Sequence, residues 1–381
     1  MNSYQTPLKA YLLQTLARSA RITFERYMAL CLYHPEHGYY VQGAERTGVA
    51  GDYFTSSDLH PVFARLVARQ AVEMWEILGR PRRFIWVEMG AGRGLFARDF
   101  LEWVKLRWPE FDRVLEYVVV EPGPPVQARL RERFAAAGLQ DRIQMASTLE
   151  ELPPVTGCFF SNELADAFPV AVITRFQGRL KEVYLHAEGE ALVERLGPIS
   201  NSAVAGAVAR YAHEGVEEGC RIEVSLAAMQ WIRSVAEKLA QGFVVTIDYG
   251  DLAERLYVPE RSAGTLMAYH RHVACEDLLA APGEQDLTAH VNFSALIDAG
   301  REKGLEETGF TTQERFLLAL GEGNEFQDLY EPDATEAKRL QARLQLKRLL
   351  YPEGMGGLFK VLVQHRGVVA PHLAGLKFQR R

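Results

Sequence analysis

The chain has 381 residues, of which 48% are hydrophobic and 24% charged, and its net charge at pH 7 is −6. This balance is typical of a globular protein with one large domain or two smaller ones, and the negative charge argues against nucleic-acid binding through a basic face. No apolar run is long enough for a transmembrane helix. The four cysteines lack C-x-x-C spacing, which predicts reduced thiols in a cytosolic protein, without a disulfide framework or a zinc site.

The N-terminal segment, residues 1–80, is expected to form helices joined by one ordered loop. Leu8, Leu12 and Leu16 recur on one face of a first helix, and apolar residues return at helical spacing in 59–78. The loop between them, 34–58, is rich in glycine and aromatic residues rather than in the serine and lysine of a disordered linker. We expect this loop to fold back over the core that follows.

Beyond residue 80, buried strands alternate with helices, which is typical of a parallel sheet covered on both faces. Helices are predicted at 95–107 and 124–137, and Pro124 and Pro125 suit the first turn of the second. The last strand is expected to close the sheet in the antiparallel direction. The predicted strands are 84–88, 116–121, 142–145, 158–163, 242–250 and 357–366.

The alternation pauses between the fourth and fifth strands. A hairpin is predicted at 170–186 around Gln177-Gly178, and a helical stretch is predicted to follow to about Leu239. The expected fold is therefore α/β, with a Rossmann-like sheet, an N-terminal helical segment and an inserted subdomain on the substrate side. The predicted divisions are 1–80 for the N-terminal segment, 81–170 with 241–381 for the core, and 171–240 for the insertion.

A glycine-rich turn, EMGAGRG, follows the first predicted strand. A dinucleotide-binding turn would need a third glycine where Leu95 stands, and Glu88 would crowd a pyrophosphate. The Glu88 carboxylate would instead attract a cofactor that carries positive charge and no phosphate. S-adenosylmethionine is such a compound. Glu121 ends the second strand, where a carboxylate can accept both ribose hydroxyls. A plain tight turn is the alternative. The glycines expected to bind the cofactor are Gly90, Gly92 and Gly94.

Longer motifs accompany this turn. GDYFTSSDL, SNELADAFPV and PGEQDLTAHVNF occur in this order and are far more specific than the turn itself. With them the chain resembles the MidA-like methyltransferases, from Ile22 to about Leu296. The segments that carry the resemblance are 22–40, 51–59, 87–94, 118–123, 161–170, 246–250, 264–272 and 282–293.

The resemblance implies a class I methyltransferase fold, S-adenosylmethionine as the methyl donor and a protein substrate. The family includes a mitochondrial assembly factor that methylates an arginine of a respiratory complex I subunit. By resemblance we expect a protein arginine N-methyltransferase, in the cytoplasm if bacterial and in the mitochondrial matrix if eukaryotic. Neither nucleic acid nor membrane insertion is expected, and a homodimer is compatible with the sequence.

Other functions stay open at this point. A dinucleotide-dependent oxidoreductase could use a similar sheet, although the glycine spacing opposes it. An assembly factor that binds S-adenosylmethionine could act as a scaffold with little catalysis. A methyltransferase could also act on a small molecule.

Three polar residues end or directly follow the fourth predicted strand: Asn162, Glu163 and Asp166. Ligands of doubly wound sheets bind beyond the carboxyl ends of the strands, so these are the candidate catalytic residues. A carboxylate can bind a guanidinium bidentately, localise its charge and accept a proton after transfer. Glu163 is the first choice and Asp166 the second. The alternative for Asp166 is that it caps a following helix.

The segment GDYFTSSD is expected to contact the cofactor. Gly51 permits close backbone approach, and Thr55 and Ser56 offer hydroxyls. Phe54 or Tyr53 could cover the adenosine or the sulfonium, and an aromatic face near the sulfonium gains from cation–π attraction. The alternative is a helix start with Ser56 or Ser57 as N-cap. The candidate cofactor residues here are Gly51, Asp52, Phe54, Thr55 and Ser56.

Residues of the later motifs have weaker assignments. Asp248 and Tyr249 end the fifth core strand and could orient an acceptor. Asp286 and Thr288 resemble a cap ahead of a helix near Phe293, and Asp286 could also contact substrate. No metal is expected, because methyl transfer needs none and no acidic third ligand is placed with the histidines. These histidines are His270, His272 and His290.

Overall fold

The computed structural model describes residues 5–41, 56–212, 217–270, 273–331, 333–351 and 354–379. The chain divides into two units, named here the sheet unit and the accessory unit. The sheet unit comprises Phe54–Leu164, Ile232–Tyr249 and Ile297–Arg381, and the accessory unit comprises Met1–Tyr53, Ala165–Trp231 and Gly250–Leu296. The structure thus groups 1–53 and 250–296 with 165–231, whereas the sequence-based boundaries were drawn at 80, 170 and 240. The roles assigned to those segments stay predictions.

Seven strands form the sheet of the sheet unit, in the order β3-β2-β1-β4-β5-β7-β6. They are β1 Phe84–Met89, β2 Leu115–Val120, β3 Ile143–Ala146, β4 Val155–Asn162, β5 Leu239–Asp251, β6 Glu306–Thr312 and β7 Phe359–Arg366. Strands β1 to β5 pair in parallel, and β7 runs antiparallel to both β5 and β6. The predicted α/β fold and the antiparallel direction of the last strand are confirmed, but β6, which was not predicted, lies beyond β7 at the edge of the sheet.

The helices of the sheet unit include the predicted one that follows the glycine turn, Leu95–Arg107. Pro124 and Pro125 open a helix, as expected. The α-helices are Ser56–Leu59, Val62–Ile77, Leu95–Arg107, Pro109–Asp112, Pro124–Ala136, Gln313–Glu322, Glu336–Leu350 and Met355–Leu358, and the 3-10 turns are Leu149–Glu151, Gln327–Leu329 and Ala374–Leu376. Two further helices, Leu226–Lys238 and Phe293–Glu302, contribute residues to both units.

Aromatic residues fix helix Leu95–Arg107 against the middle of the sheet. The Trp86 ring of β1 lies 4.7 Å from that of Phe100 and 5.4 Å from that of Phe160, centroid to centroid. Phe96 stacks on Phe160 at 4.4 Å. Such contacts stabilise beyond the area that they bury. They hold the start of the helix, and therefore the glycine turn before it, at the carboxyl end of β1.

The accessory unit contains two antiparallel sheets. Its five-stranded sheet has the order Ile22–Thr23, Arg179–Glu188, Ala171–Phe176 and Arg221–Val224, with Ala191–Gly197 beside Arg179–Glu188. Its three-stranded sheet consists of Val273–Cys275, Met267–His270 and Asp286–Thr288, and the two-residue strand Val291–Asn292 pairs with Gly250–Asp251. Its helices are Pro7–Ser19, Phe24–Tyr33, Ser202–Tyr211 and Ala253–Leu256, with 3-10 turns Ala165–Ala167 and Pro259–Arg261.

The hairpin around Gln177-Gly178 is confirmed. The continuous helical stretch expected after it is wrong in part, because Ala191–Gly197 and Arg221–Val224 are strands. Both pair at full length with a neighbouring strand, and this pairing overrides the local pattern. Every helix in the described ranges is too short or too polar to cross a bilayer.

Candidate active site

The glycine turn has the backbone shape that its sequence predicts. Gly90, Gly92 and Gly94 all have positive φ, of 73°, 53° and 74°. A Cβ on Gly94 would lie 2.7 Å from the Phe134 ring, so only glycine fits between this turn and the neighbouring helix. Among the described residues, no atom would lie within 4 Å of a Cβ on Gly92. The turn therefore packs on the protein at Gly94 and leaves room for a ligand at Gly92.

Glu121 lies beside this turn, directly after β2. The Gly90 N–H donates to Val120 O at 3.2 Å, which joins the turn to the end of β2. The Gly123 N–H donates to Glu121 Oε1 at 3.1 Å and orients the carboxylate, while burial raises its pKa. Gln127 Nε2 donates to Glu121 O at 2.6 Å. An oriented carboxylate at this strand end can accept hydrogen bonds from vicinal hydroxyls.

Glu88 is buried within the sheet unit and already has a protein partner. The Tyr117 hydroxyl donates to its carboxylate at 2.7 Å. Burial raises the pKa of Glu88 from 4.5 to about 7, although the hydrogen bond from Tyr117 acts in the opposite direction. Glu88 therefore supports the turn from inside the fold, and its predicted contact with the cofactor stays a prediction.

The raised pKa of Glu88 predicts a pH-dependent stability. The folded state holds the proton more tightly than the unfolded chain, so the free energy of unfolding falls as pH rises from 4.5 towards 7, by roughly 2–3 kcal/mol. In Glu88→Gln this dependence disappears, because the amide cannot ionise but still accepts from Tyr117. Urea unfolding of both proteins between pH 5 and 8 would measure it. Parallel stability profiles for the two proteins would contradict the prediction.

Glu163 occupies a strained turn directly after β4. Its φ of +54° lies in the left-handed region, which is costly for a residue with a side chain. Its N–H donates to Ile247 O at 2.9 Å, and the next N–H, of Leu164, donates to Asp248 Oδ2 at 3.1 Å. Two backbone groups thus attach this turn to β5. Asp248, which is fully buried, positions the turn within the protein.

Two donors from the described part of the chain orient the Glu163 carboxylate. Asn162 Nδ2 donates to Glu163 Oε1 at 2.9 Å, and the Ser56 N–H donates to the same oxygen at 3.2 Å. Leu164 lies against the glycine turn, because a Cβ on Gly90 would be 2.9 Å from Leu164 Cδ1. The structure therefore brings together three predicted site residues, Asn162, Glu163 and Ser56, at the end of the sheet that carries the turn.

Ser56 contributes through its backbone rather than through the hydroxyl that we expected to bind cofactor. The Ser56 hydroxyl donates to Gln313 Oε1 at 3.2 Å, and both residues are fully buried. Helix Ser56–Leu59 begins at this residue, so the predicted helix start is confirmed, whereas Ser56 and Ser57 lie inside the helix and not at its N-cap. Gly51, Asp52, Tyr53, Phe54 and Thr55 lie outside the described residues, and their cofactor contacts stay predictions.

Asp166 and the later motif residues belong to the accessory unit. Asp166 is buried in the 3-10 turn Ala165–Ala167, and its carbonyl accepts from Ala289 N at 3.0 Å. No α-helix follows that it could cap, and its catalytic role stays a prediction. The helix cap expected from Asp286 and Thr288 is wrong. Both lie in a strand, and Asn292 Oδ1 accepts from Ala295 N at the helix start instead.

The remaining accessory residues have identified partners. The Tyr40 hydroxyl donates to Asp286 Oδ1 at 2.8 Å. His270 Nδ1 lies 2.9 Å from Glu284 O, and His290 Nδ1 lies 3.2 Å from Arg261 Nη1. His272 lies outside the described residues. Asp286, His270 and His290 thus each have a structural contact within the accessory unit, and the substrate contact considered for Asp286 stays a prediction.

Three supporting residues were missed by the sequence analysis: Tyr117, Gln127 and Gln313. Each is a buried polar residue whose partner is set by the fold. Gln313 is 257 positions from Ser56 in the sequence. Local sequence patterns do not indicate which residues pair over such a distance. The only available signal was that Gln127 and Gln313 are polar residues among buried neighbours.

A family model described as S-adenosyl-L-methionine-dependent methyltransferase matches residues 66–311. The chain belongs to that family. It is 32% identical to a Burkholderia thailandensis protein whose crystal structure contains S-adenosyl-homocysteine, with a TM-score of 0.88 over 98% of this chain and 95% of that one.

The curated relatives include proteins named protein arginine methyltransferase NDUFAF7, mitochondrial, or its homolog. The Drosophila melanogaster protein is 26% identical over 92% of this chain and 83% of its own, and the Homo sapiens protein is 23% identical over 98% and 86%.

S-adenosylmethionine is the cofactor of this methyltransferase, to which it supplies an activated methyl group. The residues of the site fit it. The open face at Gly92 leaves space beside bare backbone, and Glu121 presents an oriented carboxylate. We expect the glycine turn to hold the amino-acid end of the cofactor and Glu121 to hold the ribose hydroxyls.

Replacing Glu121 tests this arrangement. In Glu121→Ala the affinity for S-adenosylhomocysteine is expected to fall by about 10- to 100-fold, since charge-assisted hydrogen bonds contribute roughly 1.5–3 kcal/mol. Calorimetric titration would measure the change. Glu116→Ala, on the same strand but paired with Arg83, serves as the control and should bind normally. Equal affinities for wild type and Glu121→Ala would exclude the assigned role.

Proposed function

We propose that this methyltransferase transfers a methyl group to a guanidinium nitrogen of an arginine side chain in a protein. The observation that carries the proposal is the Glu163 carboxylate, which two donors orient in a strained turn against the glycine turn. Strained residues persist where the surrounding structure enforces them, often at functional sites. The names of the curated relatives also support arginine as the acceptor.

Glu163 suits a guanidinium for electrostatic reasons. An arginine side chain stays protonated at physiological pH, and its planar fork of donors matches a carboxylate. A carboxylate paired with two of its N–H groups draws the positive charge towards them, which leaves the remaining nitrogen more nucleophilic. When that nitrogen has gained its methyl group it must lose a proton, and Glu163 is placed to accept it.

Alignment accounts for the rest of the expected rate. The bonds from Asn162 and Ser56 fix Glu163, and those to Ile247 and Asp248 fix its backbone. Holding a nucleophile in a near-attack position removes most of the entropic part of a barrier. The first candidate for the protein substrate is a subunit of respiratory complex I. The sequence resembles a family in which one member methylates an arginine of such a subunit.

Methyl incorporation into protein tests the proposal. Purified enzyme and tritiated S-adenosylmethionine are incubated with a soluble extract and with isolated respiratory complexes from cells that lack the gene, and labelled proteins are hydrolysed for amino-acid analysis. We expect label in methylated arginine, and none with Glu163→Ala. Label confined to small molecules would indicate another acceptor. If no protein is labelled although the enzyme binds its cofactor, and if Glu163→Ala still supports cellular function, the protein acts as a scaffold.

A further inference from the structure

A groove runs along helix Glu336–Leu350 in the sheet unit. It encloses about 640 Å³ and is lined by apolar side chains and two cations. The apolar members are exposed to an unusual degree, since Leu344 is 57% and Tyr351 48% accessible. The lining residues that matter here are Leu59, Leu344, Lys347, Arg348, Tyr351 and Met355. An open apolar surface with a charged edge is typical of a binding surface.

The charge of this groove differs from that of the molecule. Helix Glu336–Leu350 carries five basic residues and one acidic residue, whereas the chain has a net charge of −6. Among the described residues, Lys347 and Arg348 form no ion pair, and no acidic residue lines the groove. Unpaired cations beside exposed leucine and tyrosine fit a segment that carries both carboxylates and apolar side chains.

A second pocket of about 280 Å³ extends the groove, with which it shares Leu59, Gln341 and Gln345. Its lining adds Lys338, another cation without an ion pair among the described residues, and the acidic residue Glu331, which pairs with Arg65. Lys338 and Lys347 lie nine residues apart on one helix, about 13 Å along its axis. The groove and the second pocket together are long enough for a short peptide. Because this surface is concave, it fits a peptide better than it fits a flat bilayer.

The groove adjoins the candidate active site within the sheet unit. Leu59 lines it and ends helix Ser56–Leu59, and the N–H of Ser56, at the start of this helix, donates to Glu163. Three helical residues span only about 4.5 Å. Gln313 makes a further connection, because it accepts from Ser56 and its Nε2 lies 3.5 Å from Leu349 O on the groove helix.

We propose that this groove docks an acidic segment with apolar side chains from the protein substrate, next to the arginine that is methylated. The inference rests on the proposed function, because it names the part of the protein substrate that the enzyme recognises. Docking supplies binding energy away from the reacting atoms and brings a neighbouring arginine close to Glu163.

The test uses a fluorescein-labelled amphipathic peptide of about four helical turns, with glutamate on one face and leucine on the other, and a lysine–leucine twin. Fluorescence anisotropy with the full chain should show binding of the glutamate peptide only. The double variant Lys347→Glu/Arg348→Glu should weaken it at least about tenfold, because both contacts become repulsive. The matched control, Lys105→Glu/Arg107→Glu, changes the same charge on an exposed part of another helix and should leave it unchanged.

Each other outcome overturns the docking proposal. Equal losses in the two double variants would indicate non-specific attraction, and no binding by wild type would remove the site. Binding to phosphatidylserine vesicles without peptide binding would indicate a membrane surface. A dimer that Leu344→Glu converts to monomer, again without peptide binding, would indicate a second copy in the groove. Peptide binding does not involve Glu163, so intact docking in an enzyme that methylates no arginine would refute the proposed function alone.

Discussion

Gly157→Ala is expected to prevent the sheet unit from folding. Gly157 lies in β4 with φ of +150°, and a Cβ there would be 2.0 Å from Ile85 O on β1. Its partner in β5, Gly242, has φ of +133°, and a Cβ on it would be 2.0 Å from Gly157 O. The three central strands therefore approach with backbone alone between them. A methyl group must separate them, at a cost above about 4 kcal/mol, which is a large part of a typical total stability of about 5–15 kcal/mol.

The control for this prediction is Gly138→Ala. Gly138 also has positive φ, of 69°, but a Cβ there would meet no atom of the described chain within 4 Å. Its replacement should cost only the roughly 1–2 kcal/mol of a left-handed residue with a side chain. Soluble yield and urea unfolding monitored by tryptophan fluorescence would compare the two. A Gly157→Ala protein as stable as Gly138→Ala would show that the strands can separate without loss.

The sequence was informative where structure depends on neighbouring residues. Helix Leu95–Arg107 was predicted with its observed bounds, because Gly94 and Pro109 enclose a helical apolar pattern. The five parallel strands were recognisable as continuous apolar runs. Strand β6 was missed because its sequence, EETGFTT, contains one large apolar residue and a bulge between Glu307 and Gly309. Ala191–Gly197, with the sequence ALVERLG, was included in the predicted helical stretch because its local pattern does not show that it pairs with Arg179–Glu188.

The cofactor of the candidate site was predictable from the sequence, but the contacts between the site residues were not. The order of acid, glycine turn and second acid indicated the cofactor, and Asn162 and Glu163 were placed at the correct strand end. The left-handed conformation of Glu163 could not be predicted, since it results from bonds to β5 rather than from glutamate's own preference. The contact of Ser56 with Gln313 likewise depends on long-range packing. Local patterns thus indicated the chemistry, and the fold determined which groups orient it.

Glu163→Gln is expected to lower the rate of methyl transfer by about 100- to 1,000-fold while the affinity for S-adenosylhomocysteine changes by less than about threefold. The amide oxygen can still accept from Asn162 and Ser56, so the turn should keep its shape. Only the charge and the proton acceptor are lost. Single-turnover rates with the acceptor protein, measured beside calorimetric titration of the cofactor product, would separate the two effects.

The comparison of Glu163→Gln with Glu163→Ala decides what Glu163 does. If Glu163 only supported the turn, the glutamine variant would keep near wild-type rates and the alanine variant would lose them, because alanine cannot accept from Ser56 or Asn162. If Glu163 pairs with the guanidinium, both variants lose the rate, and the Michaelis constant for the acceptor rises in both. Glu110→Gln, an exposed glutamate of the same unit, should change neither quantity. Full activity of the glutamine variant would therefore show that Glu163 has only a structural role. Asp166 would then be the next candidate for the group that binds the acceptor.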